Sequence, residues 1–536
     1  MDSFKYLAKR ILQEFEEIVV ISDADLNGVI FELFGRKYAI FEKGKGCFPV
    51  VAAIDHDDSY PHLMFTEYTI GTEHWRAICL FEAGSVIEYI YTEEERIKTC
   101  IERLIELVSL SPSQIIEEYH KEFLVYWLKY GITKGKHDNI QYQLYLDCSN
   151  EFQWLEQHLY KNNCVRITKP ERQFNDSDKR LQIKEIPALY LPIEDARELL
   201  PPLKNKPWNA HTINDIIGGV VFQRISNQAF ESISQQSYSQ KEILLVFKLE
   251  NMYFGCVVEF KNPGTAKLVV KLESQISKVV PIIVSRCDFE FLNEQIGNTV
   301  HNERVVVVGA GSLGSYIVDE LAHAGYKNIT VVDDDEYEHA NVFRHRAKWF
   351  AVQLFKSRLI EFDVNNIHPE MNVKSVAKRL LVDNIDECIP RDTQIIIFTV
   401  GSSDSQLQLN STFIRSALKA DIYYAWLEHD AESSHVVVIK DPKEGCFECL
   451  FTDKDGNMCN NIINQADPAT LVYTRNGCGG TRIHYGNRTL LTASALVLTA
   501  LKDNSRGNAI FSYVNGAMCK RDFPQNKRCA CCGICE

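Results

Sequence analysis

Hydrophobic and polar positions follow three successive regimes along the chain. The N-terminal MDSFKYLAKRILQEFEE carries apolar residues at helical spacing, and EIVVISD, GVIFELFG and KYAIFEK then read as strands. A loop segment, SYPHLMFTEYTIGTEHWRAICLFEAGSVIEYI, leads to two helical stretches, EEERIKTCIERLIELVSL and SPSQIIEEYHKEFLVYWLKY. Helix, antiparallel meander, loop and helices in that order predict an α+β domain over residues 1–150. Residues 151–285 combine a polar stretch, KNNCVRITKPERQFNDSDKRLQIKE, a proline-rich turn region and the strand-like runs EILLVFKLENMYFGCVVEF and TAKLVVKLE. They are read as a mixed linker domain without a catalytic constellation. From residue 286 to 536 the pattern turns α/β. Val305 to Val308 form a continuous apolar run that suits a buried parallel strand, and ITVV and QIIIFTV repeat it.

Chemistry enters directly after the valines. Gly309, Gly311 and Gly314 form a GxGxxG turn into a helix expected to begin near Ser312, which makes a phosphate cradle. The next strand ends at Asp333, nineteen residues beyond Gly314 (333 − 314), where a carboxylate can accept hydrogen bonds from a ribose hydroxyl. Asp333, Asp335, Asn341, Arg344 and Lys356 then form D-x-D-x(5)-N-x-x-R with a later lysine. These cations suit a triphosphate. The run resembles the adenylation domain of the MoeB/ThiF and ubiquitin-activating enzyme family, which implies a Rossmann-like fold that binds ATP. The resemblance implies that Asp333 holds the ribose, Asn341 and Arg344 orient the phosphates, and Lys356 neutralises charge as pyrophosphate leaves. It also implies a carboxylate for Mg2+ after the strand QIIIFTV. Asp404 is the nearest one, displaced by about three places, with the cap of a helix starting at Ser405 as its other reading. Arg346 and Arg358 are read as solvated surface residues, with phosphate contact as the alternative, and Arg286 is the arginine that the segment before the glycine loop offers.

Composition narrows the rest. With 536 residues the chain calls for roughly three domains. Lys plus Arg number 58 against 72 for Asp plus Glu, a formal charge of −14 without a basic stripe, which argues against nucleic acid as the main partner. No apolar run reaches the roughly 20 residues that cross a bilayer, so no membrane role and a cytoplasmic location are expected. Seventeen cysteines in such a chain point to thiol chemistry and metal rather than disulfides.

Most of those cysteines, Cys100 and Cys256 among them, sit in apolar patterns and are read as packing. Cys446 and Cys449 form one CxxC, and Cys529 and Cys532 another, which together match the tetrahedral thiolate set of a structural Zn2+. Cys531 is a spare, Cys532 with Cys535 is an alternative pairing, and a redox dithiol is the competing reading. Two such pairs flanking the second half of the domain are also a hallmark of the adenylation family. Between them Cys478 stands among Gly477, Gly479 and Gly480, and the resemblance makes it the candidate thioester cysteine, with Cys459 in reserve and Arg475 placed to lower its pKa.

The N-terminal region resembles the ubiquitin-conjugating enzyme fold. Tyr60-Pro61-His62 stands where that family has His-Pro-Asn, and Ile78-Cys79-Leu80 where it has Ile-Cys-Leu. Cys79 is therefore read as a second acyl acceptor. His62 replaces the asparagine that supports the oxyanion, either donating in its place or capping the loop. Taken together, the two resemblances imply a bacterial fused activating and conjugating enzyme of the kind found in CBASS-type antiviral operons. Its expected cofactors are ATP, Mg2+ and Zn2+. Its expected partners are a ubiquitin-like or other protein with an activatable C-terminus, a target protein amine and a second copy of itself. Arg344, Cys478 and Cys79 are the expected catalytic residues. The rival readings are adenylation of a sulfur-carrier protein for cofactor biosynthesis, a nucleotide-sensing scaffold and an NAD-dependent oxidoreductase, the last disfavoured by Asn341, Arg344 and Lys356.

Overall fold

The computed structural model describes all residues except 1–3, 22–25, 55–60, 82–84, 132–138, 147–152, 161–162, 176–179, 194–198, 205, 217–240, 263–271, 416–418, 465–472, 477–479 and 534–536. Contacts divide the chain into two units. One comprises residues 1–170 and 180–286; the other comprises 171–179 and 287–536.

The first unit holds two sheets. Six antiparallel strands lie in the order Glu16–Val20, Gly28–Leu33, Arg36–Phe41, Val50–Ala53, Glu73–Ile78 and Leu63–Ile70. The helices Phe4–Ile11 and Glu93–Val108 pack on this sheet through Phe4, Ala8, Ile97, Ile101 and Leu104, with Cys100 buried among them. The second helix starts at a capping box in which Thr92 and Glu95 satisfy each other's backbone N–H. The other sheet is mixed and eight-stranded, built from 141–144 and from strands between 153 and 286. Cys256 lies in its core.

Two expectations change here. The stretch 111–130 is not one helix: Pro112–Lys121 ends at Glu122, then Phe123–Tyr126 and a π-turn at Trp127–Gly131 carry Phe123 and Trp127 into the core of the second sheet. Trp127 Nε1 donates to Ile282 O at 2.9 Å, which fixes that change of direction. The polar-looking stretch beginning at residue 161 contains the fully buried strand Cys164–Thr168, where Arg166 stacks over Tyr160 at 4.0 Å. The run TAKLVVKLE lies almost wholly outside the described residues, and its end opens the short helix Leu272–Gln275.

The second unit is a three-layer α/β/α domain around an eight-stranded sheet. Its strands run Asn372–Val376, Tyr326–Val332, His301–Val308, Ile395–Phe398, Asp421–Leu427, Ser434–Ile439, Ala509–Val514 and Ala517–Asp522. The first five are parallel and the rest antiparallel. Val305 and Val307 face the helices Ser312–His323 and Asn487–Lys502, while Val306 and Val308 face Ser403–Arg415. Burial on both faces is what the uninterrupted valine run requires. The segment 171–175 folds against this unit: Arg172 pairs with Glu370 and Glu290, and Asn175 Nδ2 donates to the carbonyls of Asn365, His368 and Met371. Among the described residues no helix is long and apolar enough to cross a membrane.

Candidate functional site: a braced glycine loop, two cysteine sites

The chain leaves His301–Val308 at the point where strand order reverses, between Tyr326–Val332 on one side and Ile395–Phe398 on the other. Open α/β sheets bind ligands in such a crevice. Gly309 has φ 98°, and a Cβ there would stand 2.8 Å from Thr399 Oγ1. A Cβ on Gly314 would lie 1.9 Å from the Gly309 carbonyl oxygen, so the helix can approach the loop only without a side chain. Gly311 differs: a Cβ there meets nothing within 4 Å. Its side opens at the N-terminus of Ser312–His323, where backbone N–H groups and the helix dipole favour phosphate.

Ala310 is gripped from both sides. Asp333 Oδ2 accepts from Ala310 N–H at 2.6 Å, and Asp333 Oδ1 accepts from Asp335 N–H at 2.9 Å. Burial raises the Asp333 pKa from 3.8, and the two N–H donors and Lys356 offset that only in part. The expected ribose ligand is thus also a brace of the loop. His345 holds the other side. Ala347 N–H donates to its Nδ1 at 2.9 Å, so Nε2 carries the proton and donates to Ala310 O at 2.8 Å. Burial lowers the His345 pKa to about 4, with Lys356 and Arg344 pushing the same way, and the ring is neutral near pH 7. His345 and Thr399, whose hydroxyl donates to Gly309 O at 2.8 Å, were not singled out in the sequence. The sequence carried no local signal for either.

Lys356 opens the helix Lys356–Asn365 and, though largely buried, places Nζ 2.8 Å from the exposed Asp335 carboxylate. Asn341 is buried, with Oδ1 accepting from Glu338 N–H at 2.8 Å. Arg344 is half-buried, and its Nε donates to Ala340 O at 3.3 Å. Asp404 is exposed in the first turn of Ser403–Arg415. That helix begins two residues earlier than expected, and Ser402 Oγ, not Asp404, accepts from Ser405 N–H at its start. Arg346 stacks over Tyr316 and pairs with Asp319 and Glu320, Arg358 stacks over Phe355, and Arg286 donates to the Tyr253 hydroxyl.

The residues fit a nucleotide triphosphate: an open glycine-lined mouth, a helix N-terminus, and cations at Arg344 and Lys356. For magnesium the chain offers single carboxylates, which suits an ion held mainly by phosphates and water.

Cys79 lies at the end of Glu73–Ile78, half-buried, with its N–H donating to His62 O at 2.8 Å and its Sγ 3.4 Å from Phe81 O. The His62 ring does not cap its own loop. Nδ1 meets Glu122 Oε1 at 2.8 Å and Nε2 meets Glu118 Oε2 at 2.9 Å. Burial lowers its pKa, but hydrogen bonds to Glu122 and Glu118 outweigh that and raise it above 6.5. Cys478, Gly477, Gly479 and Cys535 lie outside the described residues. Cys459 is half-buried, with its N–H donating to Phe451 O at 2.7 Å.

The sulfurs of Cys446, Cys449, Cys529 and Cys532 all lie within 4.8 Å of one another. Cys446 and Cys529 are 3.8 Å apart, and Cys449 and Cys532 3.3 Å. Zinc–sulfur bonds of about 2.3 Å in a tetrahedron put sulfurs about 3.8 Å apart, so the set fits zinc. The buried Asn410 donates from Nδ2 to Cys446 Sγ and to Cys531 Sγ, each at 3.3 Å, and accepts from Phe447 N–H at 3.2 Å. Cys531 is not one of the four clustered sulfurs.

Residues 286–502 match the ThiF family. The chain is 20% identical over 446 residues to the ATP-dependent ubiquitin transferase-like protein Cap2 of Pseudomonas aeruginosa, covering 78% of this chain and 76% of that protein. It is 28% identical over 152 residues to the adenylyltransferase and sulfurtransferase UBA4 of Yarrowia lipolytica, covering 28% of this chain and 37% of that one. Against the crystal structure of E. coli MccB with ATP it shows 17% identity and a TM-score of 0.33, over 44% of this chain and 68% of that one. Residues 286–502, which contain the braced glycine loop, are thus a ThiF-family match, and the chain as a whole is similar to a bacterial ThiF/MoeB-like activating protein.

Proposed function

We propose that the chain activates the C-terminus of a ubiquitin-like or other partner protein with ATP and passes it by thioesters to a target amine. The similarity to Cap2 carries this reading: its 446 aligned residues extend well beyond the 286–502 match, so the resemblance reaches outside the adenylation domain.

In this reading the partner's carboxylate oxygen attacks the α-phosphorus of ATP, and pyrophosphate leaves. The N–H groups at Gly311 and Ser312 hold phosphate oxygens, while Arg344 and Lys356 meet the charge that develops as the bond breaks. Lys356 exchanges Asp335 for phosphate as it does so, and Asn341 and Asp333 orient the nucleotide. Asp404 is the carboxylate that would hold magnesium, which when bound would supply neutralising charge to the pyrophosphate. Zinc in the four-cysteine set has a structural role. The Cys478 thiolate then attacks the acyl carbonyl and AMP leaves; the Cys79 thiolate takes over the acyl group, and a lysine amine displaces the sulfur. Tethering both cysteines in one chain raises their effective concentration for this relay. A homodimer through the adenylation domain belongs to the same reading, and the exposed Phe343 and Phe350 support it.

The test is non-reducing intact-mass analysis after co-expression with each neighbouring gene product. A thiol-sensitive adduct lost in Cys478→Ala, held upstream in Cys79→Ala and thiol-resistant in Cys79→Lys is expected. Adducts that ignore both cysteines would overturn the relay. The second reading, adenylation of a sulfur carrier, is favoured by the UBA4 similarity and by 25% identity over 118 residues to the sulfur carrier protein ThiS adenylyltransferase of Bacillus subtilis. It requires that Cys79 be dispensable.

A further inference from the structure

We propose that His62, gripped between Glu118 and Glu122, is a positioning residue that fixes the Cys79 loop and frees it when the imidazole loses its second proton. The proposal deepens the acyl-acceptor role given to Cys79 and rests on that reading for its functional meaning. Its geometry stands independently.

Glu118 and Glu122 are four residues apart, so the helix Pro112–Lys121 and the residue that ends it present both carboxylates on one face. Ser111 and Gln114 form a capping box at the start of that helix, which anchors the platform. Each ring nitrogen of His62 meets one carboxylate, at 2.8 and 2.9 Å. An ionised carboxylate only accepts hydrogen bonds, so both contacts are satisfied together only when both nitrogens carry protons. The second oxygen of Glu122 accepts the His62 backbone N–H at 3.0 Å. Glu122 therefore holds the residue by ring and by main chain.

That grip is transmitted to the thiol. His62 sits at φ 68°, a left-handed conformation uncommon for a side-chain-bearing residue, and its carbonyl accepts the Cys79 N–H at 2.8 Å. The clamp thus sets the backbone to which the thiol is attached, while the thiol itself is directed to Phe81 O. Of the described charged groups, Glu118 and Glu122 face the ring, and Lys121 shares Glu118 at 2.6 Å. Two carboxylates, one ammonium and one imidazolium balance; loss of the imidazolium charge leaves an excess anion in a half-buried place. The raised His62 pKa agrees in sign. Anchoring is complete below 6.5 and is lost as pH rises through the raised folded value.

Peptide-resolved amide hydrogen exchange of the full-length chain, without ATP or partner, tests the clamp. Protection across Ile78–Leu80, corrected for the intrinsic pH dependence of exchange, is expected to fall about 10-fold as pH rises from 6 to 9 in the wild type, on the order of 1.4 kcal/mol. In His62→Gln and Glu122→Gln it is expected to be low and flat. Glu118→Gln, which keeps the main-chain contact to Glu122, is expected to show a smaller step at lower pH. Flat wild-type protection, or an unchanged step in His62→Gln, overturns the proposal. Because no acyl transfer is measured, failure here leaves the role of Cys79 standing, and failure of the Cys79→Lys adduct leaves the clamp standing.

Discussion

Asp333 and His345 hold the same residue from opposite sides: the carboxylate takes the Ala310 N–H at 2.6 Å, and the imidazole gives its Nε2 proton to the Ala310 carbonyl at 2.8 Å. A glycine-rich loop that must leave its N–H groups free for phosphate has few internal hydrogen bonds. Bracing from two neighbouring segments takes up the Ala310 N–H and keeps the loop in a ligand-ready shape, leaving the N–H groups of Gly311 and Ser312 to phosphate.

His345→Ala removes one brace and strands a buried carbonyl, a loss of about 1–3 kcal/mol. ATP affinity measured by calorimetry is expected to fall about 10-fold or more, with residues 1–170 unaffected. Unchanged ATP binding in a folded variant would show that the loop holds itself.

His345 also sets a pH dependence. Its folded pKa, lowered to about 4 from 6.5 mainly by burial, means that the unfolded chain binds more protons between those values. Stability of the second unit should therefore be complete above 6.5 and decline as pH falls toward 4, by on the order of 3 kcal/mol. Denaturant unfolding at stepped pH, in wild type and His345→Gln, checks this. A wild-type curve no steeper than that of the variant would reject it.

Gly311 and Gly314 separate ligand space from folding space. Gly314→Ala places a Cβ 1.9 Å from Gly309 O and is expected to cost about 1–3 kcal/mol or to prevent folding of the loop. Gly311→Ala meets no protein atom within 4 Å, so the melting temperature should hold while ATP binding is lost. ATP binding retained in a folded Gly311→Ala would mean that the open side of Gly311 is not where phosphate goes.

The Rossmann-like core was readable because its signal is local. A run of apolar β-branched residues, glycines at fixed offsets and a strand-end carboxylate occupy neighbouring positions in the chain. His345 was not readable: its role depends on Ala310, thirty-five residues away, and on a backbone N–H that neutralises one ring nitrogen. The same holds for His62, whose partners lie 56 and 60 residues on. The stretch from residue 161 reads as polar because composition cannot show that Tyr160 and Tyr145 stack around Arg166. The four-cysteine set was legible from CxxC spacing, whereas Asn410, which donates to both Cys446 and Cys531, carries no motif.

Cysteine spacing and sulfur distances predict one zinc per chain. Elemental analysis should find it, and Cys446→Ser should lose it together with several degrees of melting temperature, since structural zinc contributes to folding free energy. Full metal occupancy in Cys446→Ser would point to Cys531 as its replacement.

Asn175 offers the last test, because one side chain there does the work of a strap. Its Nδ2 reaches three carbonyls, those of Asn365, His368 and Met371, and its own N–H donates to Pro369 O at 2.7 Å. The first of these belongs to the last residue of the helix Lys356–Asn365, whose first residue is the proposed phosphate-binding lysine, and the other two to the turn that follows it. Asn175→Ala leaves one helix-end carbonyl and two turn carbonyls without that donor, and a loss of about 1–3 kcal/mol in the second unit is expected. Arg172, held by Glu370 and Glu290 in the same segment, should add to it less than independently, because both side chains pin one short stretch of chain. A double-mutant cycle of Asn175→Ala and Arg172→Ala, read by denaturant unfolding, measures that coupling. Strict additivity would mean that 171–175 is held as two separate contacts and not as one strap.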